Sequence, residues 1–302
     1  MFVENIIIIM NTKKLTIYIL AAYIPMIAVG AAQYFLNKGI EPGTMNVKVI
    51  MSSLLTTVAM FFPLTASLIT QLITKEPIFR NLGISIRINS WWFAGWLLIP
   101  VISIAVMGMS ILMPGAAWSP ENETVTAALK QLPGNIGVWG FIGFTMISGL
   151  IAGVSINAVF AFGEEIGWRG YLVELFKGQG FIRTSVVTGD IWGLWHAPLI
   201  LNGHNYPQHP VAGVFMMTIM CIMLTPVLLY FRKKSGSVIV PAVMHGTFNG
   251  VVGLSNIFIL PANDLLIGGP GLAGILVLFG TDIIIFLYDR YISKERTFTS
   301  LI

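Results

Sequence analysis

The chain of 302 residues consists mainly of long apolar runs separated by short polar loops. A window of about 19 residues, the length suited to membrane helices, detects eight such runs. Each run holds about 18 residues or more, enough to cross a bilayer as a helix. Barrel strands, by contrast, alternate over about 10 residues. The pattern predicts an all-α, polytopic membrane protein, a bundle of about eight transmembrane helices. The runs lie near 15–36, 50–73, 91–114, 137–162, 185–202, 211–231, 237–259 and 271–288.

Composition supports this assignment. Hydrophobic residues make up 56% of the chain and charged residues 10%, whereas about 25% of a soluble domain is charged. These values exclude a soluble globular protein, a disordered chain and a nucleic-acid-binding protein. Because no soluble linker or repeat interrupts the runs, we expect one membrane-embedded domain over 1–302, with a motif-bearing catalytic core at about 135–260. The single Cys221 excludes an intramolecular disulfide and a multi-cysteine metal site.

The first apolar run has two interpretations. Lys13 and Lys14 precede it and small residues at 29–32 end it, as in a secretory signal peptide. Its apolar part, however, is longer than the 7–15 residues usual in a signal peptide. This length favours an uncleaved first span, and neither interpretation changes the rest of the chain.

The placement of Lys and Arg predicts the orientation. With eight spans, fourteen of the 17 basic residues fall on the side of both termini, and three fall on the other side. Cytoplasmic loops carry this excess, so both termini are predicted to be cytoplasmic in a multi-pass protein of a plasma membrane, in keeping with a bacterial source. The three basic residues on the other side are Lys38, Lys48 and Lys130.

A small set of polar residues lies at membrane depth, where polar groups are costly and are functional candidates by default. At about 1.5 Å per residue, His196 lies about 16 Å and His245 about 10 Å from the cytoplasmic ends of their spans. Three spans thus place acids and imidazoles in the cytoplasmic half of the membrane. The candidates are Glu164, Glu165 and Arg169 in the fourth span, His196 in the fifth, and His245 and Asn249 in the seventh.

Helical spacing separates their roles. Glu165 and Arg169 are four residues apart and can pair along one face. Glu164 lies about 100° around the helix and meets a different neighbour. His245 and Asn249 are also four apart, so both can face one cavity. A buried carboxylate, imidazoles and a carboxamide that can donate to an oxyanion together predict a hydrolytic centre.

The fifth span contains its own irregularity. Trp192 and His196 share one face, and Pro198 follows two residues later. Because proline deprives the Leu194 carbonyl of its helical partner, we expect the helix to tilt around His196.

A metal is one of two options for this centre. If a metal is used, His196, His245 and Glu165 are the candidate ligands, since two histidines and a glutamate form a catalytic zinc site with an open position for water. Zinc is therefore the candidate cofactor. The usual His-Glu-x-x-His spacing of zinc proteases is absent from the sequence. A glutamate mechanism without metal stays equally open.

Three motifs carry a resemblance to a known family. Residues 164–170 (EEIGWRG) match a Glu-Glu-x-x-x-Arg motif, and 245–249 (HGTFN) match His-x-x-x-Asn. Residues 192–196 (WGLWH) resemble Phe-x-x-x-His, with Trp in place of Phe. In this order and spacing, the motifs resemble those of the CPBP family, the CAAX proteases and bacteriocin-processing enzymes related to the type II CAAX prenyl endoproteases. The resemblance covers about 135–260.

The resemblance implies an intramembrane endopeptidase that hydrolyses a peptide bond near the cytoplasmic membrane face. Its partners would be membrane lipid and a peptide or protein substrate, either prenylated or a small leader or bacteriocin peptide, and no nucleic acid. The implied roles are water activation by Glu164, support by Glu165 and Arg169, holding of water or metal by His196 and His245, and an oxyanion contact by Asn249.

Two other functions fit the same residues. A non-enzymatic immunity or scaffold protein that retains the fold would keep its effect after Glu164→Gln. An ion-coupled transporter would need ionisable residues that reach both faces of the membrane. The ionisable set is concentrated in the cytoplasmic half, so the transporter ranks last.

Overall fold

The computed structural model describes residues 2–40, 46–132, 134 and 136–299, with side chains described from residue 11 onwards. Within these described residues, four helices are long and apolar enough to cross a membrane, and the number rises to six if two bent helix pairs each count as one span. Large apolar side chains on their outer surfaces are more than half exposed, for example Val101, Ile104 and Ile284. Since such surfaces suit lipid rather than water, the chain is a multi-pass, all-α membrane protein.

All eight predicted runs are mainly helical. Two of them contain a bend of more than 40°, and the fifth and seventh are interrupted as well. The second run breaks between Ala59 and Phe62 with a 43° bend. The fourth breaks at Ser155 with a 54° bend. The helices at Phe181–Trp195 and Ile239–Val251 have 15 and 13 residues, or about 22 and 20 Å. They are shorter than the roughly 30 Å hydrocarbon core. The exact span count therefore stays a prediction, as do the domain limits; residue 135, at the start of the predicted core, lies outside the described residues.

The described elements follow one another with short connections and one two-stranded antiparallel ladder, in which Ala117 pairs with Leu260. The helices are α1 (Phe2–Asn37), α2 (Val47–Ala59), α3 (Phe62–Ile73), α4 (Ser90–Ile111), α5 (Glu123–Gln131), α6 (Val138–Val154), α7 (Ile156–Glu165), a π-helical segment (Ile166–Tyr171), α8 (Leu172–Leu175), α9 (Phe181–Trp195), α10 (Ala197–Ile200), α11 (Pro210–Ser235), α12 (Ile239–Val251), α13 (Leu254–Phe258) and α14 (Leu272–Tyr291), and the strands are β1 (Ala117–Trp118) and β2 (Ile259–Leu260).

The helix ends gather at two opposite faces. On one face, ion pairs join Lys14 to Glu76 and Lys234 to Asp289. This basic face carries the fourteen Lys and Arg residues that the sequence places on one side. It comprises residues 11–14, 73–90, 166–183, 232–239 and 289–299.

The opposite face carries the other three basic residues. Here β1 pairs with β2, and both Gln208 and His209 hydrogen-bond to Asp264. Loops from distant parts of the chain thus meet at this face as they do at the basic face. It comprises residues 37–40, 46–48, 111–132, 136–138, 200–210 and 251–272.

Glycines allow the helices around the bundle centre to approach closely. A methyl carbon placed on Gly153 of α6 would lie 2.7 Å from the Cα of Thr247 on α12. One placed on Gly193 of α9 would lie 2.4 Å from the Cα of Thr218 on α11. Small residues of this kind are the usual means of tight packing between membrane helices. They fix the distances of α12 and α9, which carry two of the three motifs, from their neighbours α6 and α11.

Gly153→Ala is expected to lower the free energy of unfolding by about 1–3 kcal/mol, the usual cost of overpacking. The new methyl group would meet backbone atoms of α12, which cannot move aside as a flexible side chain can. Gly143→Ala on the same helix is the control, because no atom lies within 4 Å of the added carbon. Denaturant titration in detergent measures both. Equal stability of the two variants would contradict the close approach.

Candidate active site

The helix that carries the first motif widens immediately after its two glutamates. Residues Ile166–Tyr171 are π-helical, and the Leu172 N–H donates to the carbonyl of Gly167, five residues back. All six residues of the segment are buried. Single π turns occur frequently at functional sites. The position of Arg169 relative to Glu165 therefore depends on this π-helical segment, which the spacing of the motif alone does not reveal.

Glu164 is held by two tryptophans. The Nε1–H of Trp192 on α9 donates to Glu164 Oε2 at 2.7 Å, and the Nε1–H of Trp168 donates to the same oxygen at 3.3 Å. The residue is 3% exposed. Both donors are neutral, so the carboxylate is oriented by hydrogen bonds without a salt bridge. The Oε1 atom takes no part in these bonds.

Glu165 belongs to a separate, ionic cluster. Its Oε1 accepts from Arg169 Nη1 at 3.0 Å and from His245 Nδ1 at 2.9 Å. Arg169 Nη2 also donates to Thr225 Oγ1 at 3.0 Å. The predicted four-residue pairing of Glu165 with Arg169 is thus present, and the different surroundings of Glu164 are present too. Because a carboxylate only accepts, the bond leaves Nε2 of a neutral His245 ring as an acceptor.

His196 lies where the fifth run breaks. It ends α9, and α10 begins at the next residue with Pro198 in its first turn. Its Nδ1 is 2.9 Å from the carbonyl oxygen of Trp192. A carbonyl only accepts, so Nδ1 carries the proton and Nε2 of the neutral ring is again an acceptor. The helix is thus interrupted at His196, two residues before Pro198, and the tilt expected there stays a prediction.

Trp192 is the common neighbour of these groups. The Arg169 guanidinium lies 4.2 Å from the centre of the indole ring, a cation–π distance. The rings of His245 and His196 lie 5.3 and 5.8 Å away. The Trp192 side chain therefore contacts Arg169 and both histidines while its N–H donates to Glu164.

A cavity of about 310 Å³ adjoins the cluster. Among the predicted residues, Glu164, His196, His245 and Asn249 line it. Glu165 and Arg169 lie behind this wall, 0% and 1% exposed. The structure thus brings all six predicted residues together and divides them into four at the cavity and two that support them.

The distances of the two histidines from the starts of their helices agree in part with the expected values. His245 lies six residues beyond Ile239, about 9 Å from the start of α12, close to the expected value. His196 lies 15 residues beyond Phe181, about 22 Å from the start of α9, whereas the expected 16 Å is counted from the start of the apolar run. The reason is that α9 begins four residues earlier than the apolar run does. The depth of the site in the membrane therefore stays a prediction.

The proposed metal ligands do not form a ligand group in this arrangement. Oε1 of Glu165 is already shared by Arg169 and His245, and His196 is turned toward the backbone of Trp192. Across the described part of the chain, no three His, Cys, Asp or Glu side chains are grouped so that they could hold a metal ion. The zinc site thus stays a prediction without a matching ligand set.

Two contributors were missed by sequence reasoning. Trp168 occupies an unassigned position of the first motif, and its only sequence signal is an indole N–H one turn after Glu164. Thr225 on α11 lies outside all three motifs and bonds Arg169. No pattern in the sequence distinguishes Thr225 from other threonines on apolar helices, because its role depends on how α11 packs against the π-helical segment.

Trp192→Phe is expected to lower kcat about tenfold and to leave KM nearly unchanged. Phenylalanine keeps the ring but loses the donor to Glu164, and a hydrogen bond to a charged group contributes about 1.5–3 kcal/mol. The remaining donor, Trp168, limits the decrease in kcat because it still orients the carboxylate. Trp96→Phe is the matched control, because its N–H donates to the Leu150 carbonyl and the residue is not among those that line the cavity. Steady-state kinetics of both variants measure these effects. Equal drops in kcat would contradict a positioning role for Trp192.

Comparison with known proteins gives two similarities. Residues 139–251 match the family described as type II CAAX prenyl endopeptidase Rce1-like. A CAAX prenyl protease 2 from Methanococcus maripaludis is 29% identical over 143 residues, which cover 44% of this chain and 48% of that relative. The match therefore spans about half the length of the curated relative. The family match contains all three motifs and thus the whole of the cluster described above.

Proposed function

Because the chain belongs, through residues 139–251, to the CAAX protease family, we propose that it is an intramembrane endopeptidase in which Glu164 activates water. The observation that carries the proposal is the placement of Glu164. Its carboxylate lies at the wall of a cavity, is nearly buried, and is oriented by two indole N–H groups. A general base needs this combination of access to the substrate and fixed direction.

The other cavity residues supply complementary groups. In the proposed reaction, Glu164 takes a proton from water as the water oxygen attacks the peptide carbonyl carbon. The Nδ2 of Asn249 donates to the oxyanion that forms. The acceptor Nε2 atoms of His196 and His245 hold the water. Breaking the C–N bond sends the proton from Glu164 to the leaving amine, which restores the carboxylate.

The ionic cluster supports this chemistry from behind. Glu165 holds His245 through Nδ1 and is itself held by Arg169. A carboxylate behind an imidazole fixes the ring's tautomer and direction. We therefore assign Glu165 and Arg169 a positioning role, since they do not line the cavity.

The cavity walls favour an apolar substrate segment. Besides the polar residues, the lining includes Met217, Met220, Leu224 and Phe248. We propose a peptide or protein substrate whose cleaved segment is apolar, either prenylated or part of a small leader or bacteriocin peptide. The protein would act in a plasma membrane with the basic face and both termini cytoplasmic, as the excess of Lys and Arg supports.

The test is cleavage of a peptide panel by the detergent-purified protein, with metal content measured on the same sample. The panel combines prenylated CAAX peptides with small leader peptides, and Glu164→Ala protein excludes a contaminating protease. Cleavage by the wild type alone would support the proposal. Absence of cleavage by correctly folded wild type, with and without added zinc, would contradict it and favour a non-enzymatic immunity or scaffold protein.

Asn249→Ala is expected to lower kcat by about 10²–10³-fold, the usual effect of removing one oxyanion donor. Asn249→Asp should have a similar effect, because it keeps the shape of the side chain and loses its N–H groups. Single-turnover cleavage of the best panel peptide measures the chemical step. A variant that cleaves at the wild-type rate would exclude Asn249 from the oxyanion site.

A further inference from the structure

The outer end of the catalytic cavity lies at the opposite face, the face with few basic residues. His204 and Asn205, in the loop after α10, line the cavity together with Pro270, which precedes α14. His204 and Asn205 are exposed, whereas Glu164 at the inner end is almost fully buried. The cavity therefore connects the buried carboxylate with the surface formed by these loops.

The residues that line the cavity walls also run from the opposite face towards the bundle centre. On α11, which starts at Pro210 on the opposite face, lining residues run from Met217 to Leu224. At 1.5 Å per residue these positions lie about 10 and 21 Å below that face. On α2, which starts at the same face, Thr56 lies about 14 Å from Val47. The cavity thus descends from the opposite face to the middle of the bundle.

The basic face is closed over the site. Arg169 and Trp168 are at most 1% exposed and fill the space beneath Glu164. Leu82, in the loop between α3 and α4, is equally buried and covers Gly170. Among the described residues that line the cavity, none belongs to the basic face. Access from that face would require this packed layer to open.

The charge distribution identifies the two faces. Loops rich in Lys and Arg usually remain in the cytoplasm, which predicts that the opposite face is directed away from it. From the closed basic face, the open opposite face and this charge difference, we propose that the substrate enters from outside the cytoplasm. The proposal rests on the proposed function and specifies its substrate class: an apolar peptide segment presented at the outer membrane surface, such as a translocated peptide or the outer juxtamembrane segment of a membrane protein.

Cysteine accessibility in intact bacterial cells tests the direction of access. The chain has a single cysteine, so Cys221→Ala gives a thiol-free background. Into it are placed Asn205→Cys at the rim, Met217→Cys on the cavity wall, and Lys177→Cys on the basic face as the control. Lys177 suits this purpose because its side chain is 66% exposed. Each variant is treated with a membrane-impermeant cationic methanethiosulfonate, in intact cells and in inverted vesicles.

The expected result is labelling of Asn205→Cys and Met217→Cys in intact cells, and labelling of Lys177→Cys only in inverted vesicles. Modification of Met217→Cys from outside should also abolish cleavage by the protein subsequently purified from those cells. Labelling of Met217→Cys in inverted vesicles alone, or labelling of Lys177→Cys in intact cells, would overturn the proposal. So would a Met217→Cys thiol that reacts from neither side. The labelling needs no turnover, so a failure of the proposed function is visible separately as absent cleavage by unmodified protein.

Discussion

Glu164→Gln is expected to lower the cleavage rate by about 10²–10⁴-fold, the range for loss of a general base, in a protein that keeps its fold. Glutamine retains an oxygen that accepts the N–H groups of Trp192 and Trp168. What it loses is the ability to take a proton from water. The decrease should therefore appear in kcat and leave KM nearly unchanged, as for an interaction made only in the transition state.

Glu174→Gln is the matched control for this substitution. Glu174 lies on α8, ten residues further along the same helical stretch, and its Oε1 accepts from Asn81 and from Lys177 at the basic face. The same chemical change there should leave the cleavage rate unaltered. Wild-type activity of Glu164→Gln would mean that another group activates the water. Equal losses in both variants would indicate a general effect of charge on the fold.

Much of the fold, and the grouping of the six candidate residues in space, could be predicted from the sequence. Long apolar runs dictate helices in lipid because every backbone group must find its partner within the segment. The spacing of Glu165 and Arg169 predicted their ion pair, and Pro198 predicted the break at His196. Each of these inferences depends on local geometry, which a sequence specifies directly.

The parts that could not be predicted depend on how distant helices pack. The bend at Ser155 could not be predicted, because no proline lies near it in the sequence. The bonds from Trp192 to Glu164 and from Arg169 to Thr225 join different helices, so they depend on the approach that the glycines permit. The face at which the cavity opens is likewise a property of the assembled bundle.

Arg169→Met is expected to lower the free energy of unfolding by about 3–5 kcal/mol, the cost of removing one partner from a buried ion pair. Arg169 and Glu165 are almost fully buried, and the guanidinium also bonds Thr225 and covers the Trp192 ring. Methionine fills much of the volume but leaves the carboxylate with His245 as its one remaining bonded partner among those described. Arg169→Lys should be more stable than Arg169→Met, because lysine keeps the positive charge but cannot donate to Glu165 and Thr225 with two planar N–H groups as arginine does.

The exposed pair of Lys177 and Glu174 provides the control for this prediction. These side chains lie 3.5 Å apart on the same helical stretch, with Lys177 largely in solvent, and such pairs contribute about 0–1 kcal/mol. Lys177→Met should therefore change stability little. A second comparison separates charge from packing: Glu165→Gln combined with Arg169→Met removes both charges and should be more stable than Arg169→Met alone. Denaturant titrations in detergent measure the four variants and the wild type. If the double variant were the least stable, packing of Arg169 against Trp192 rather than its charge would hold the cluster together.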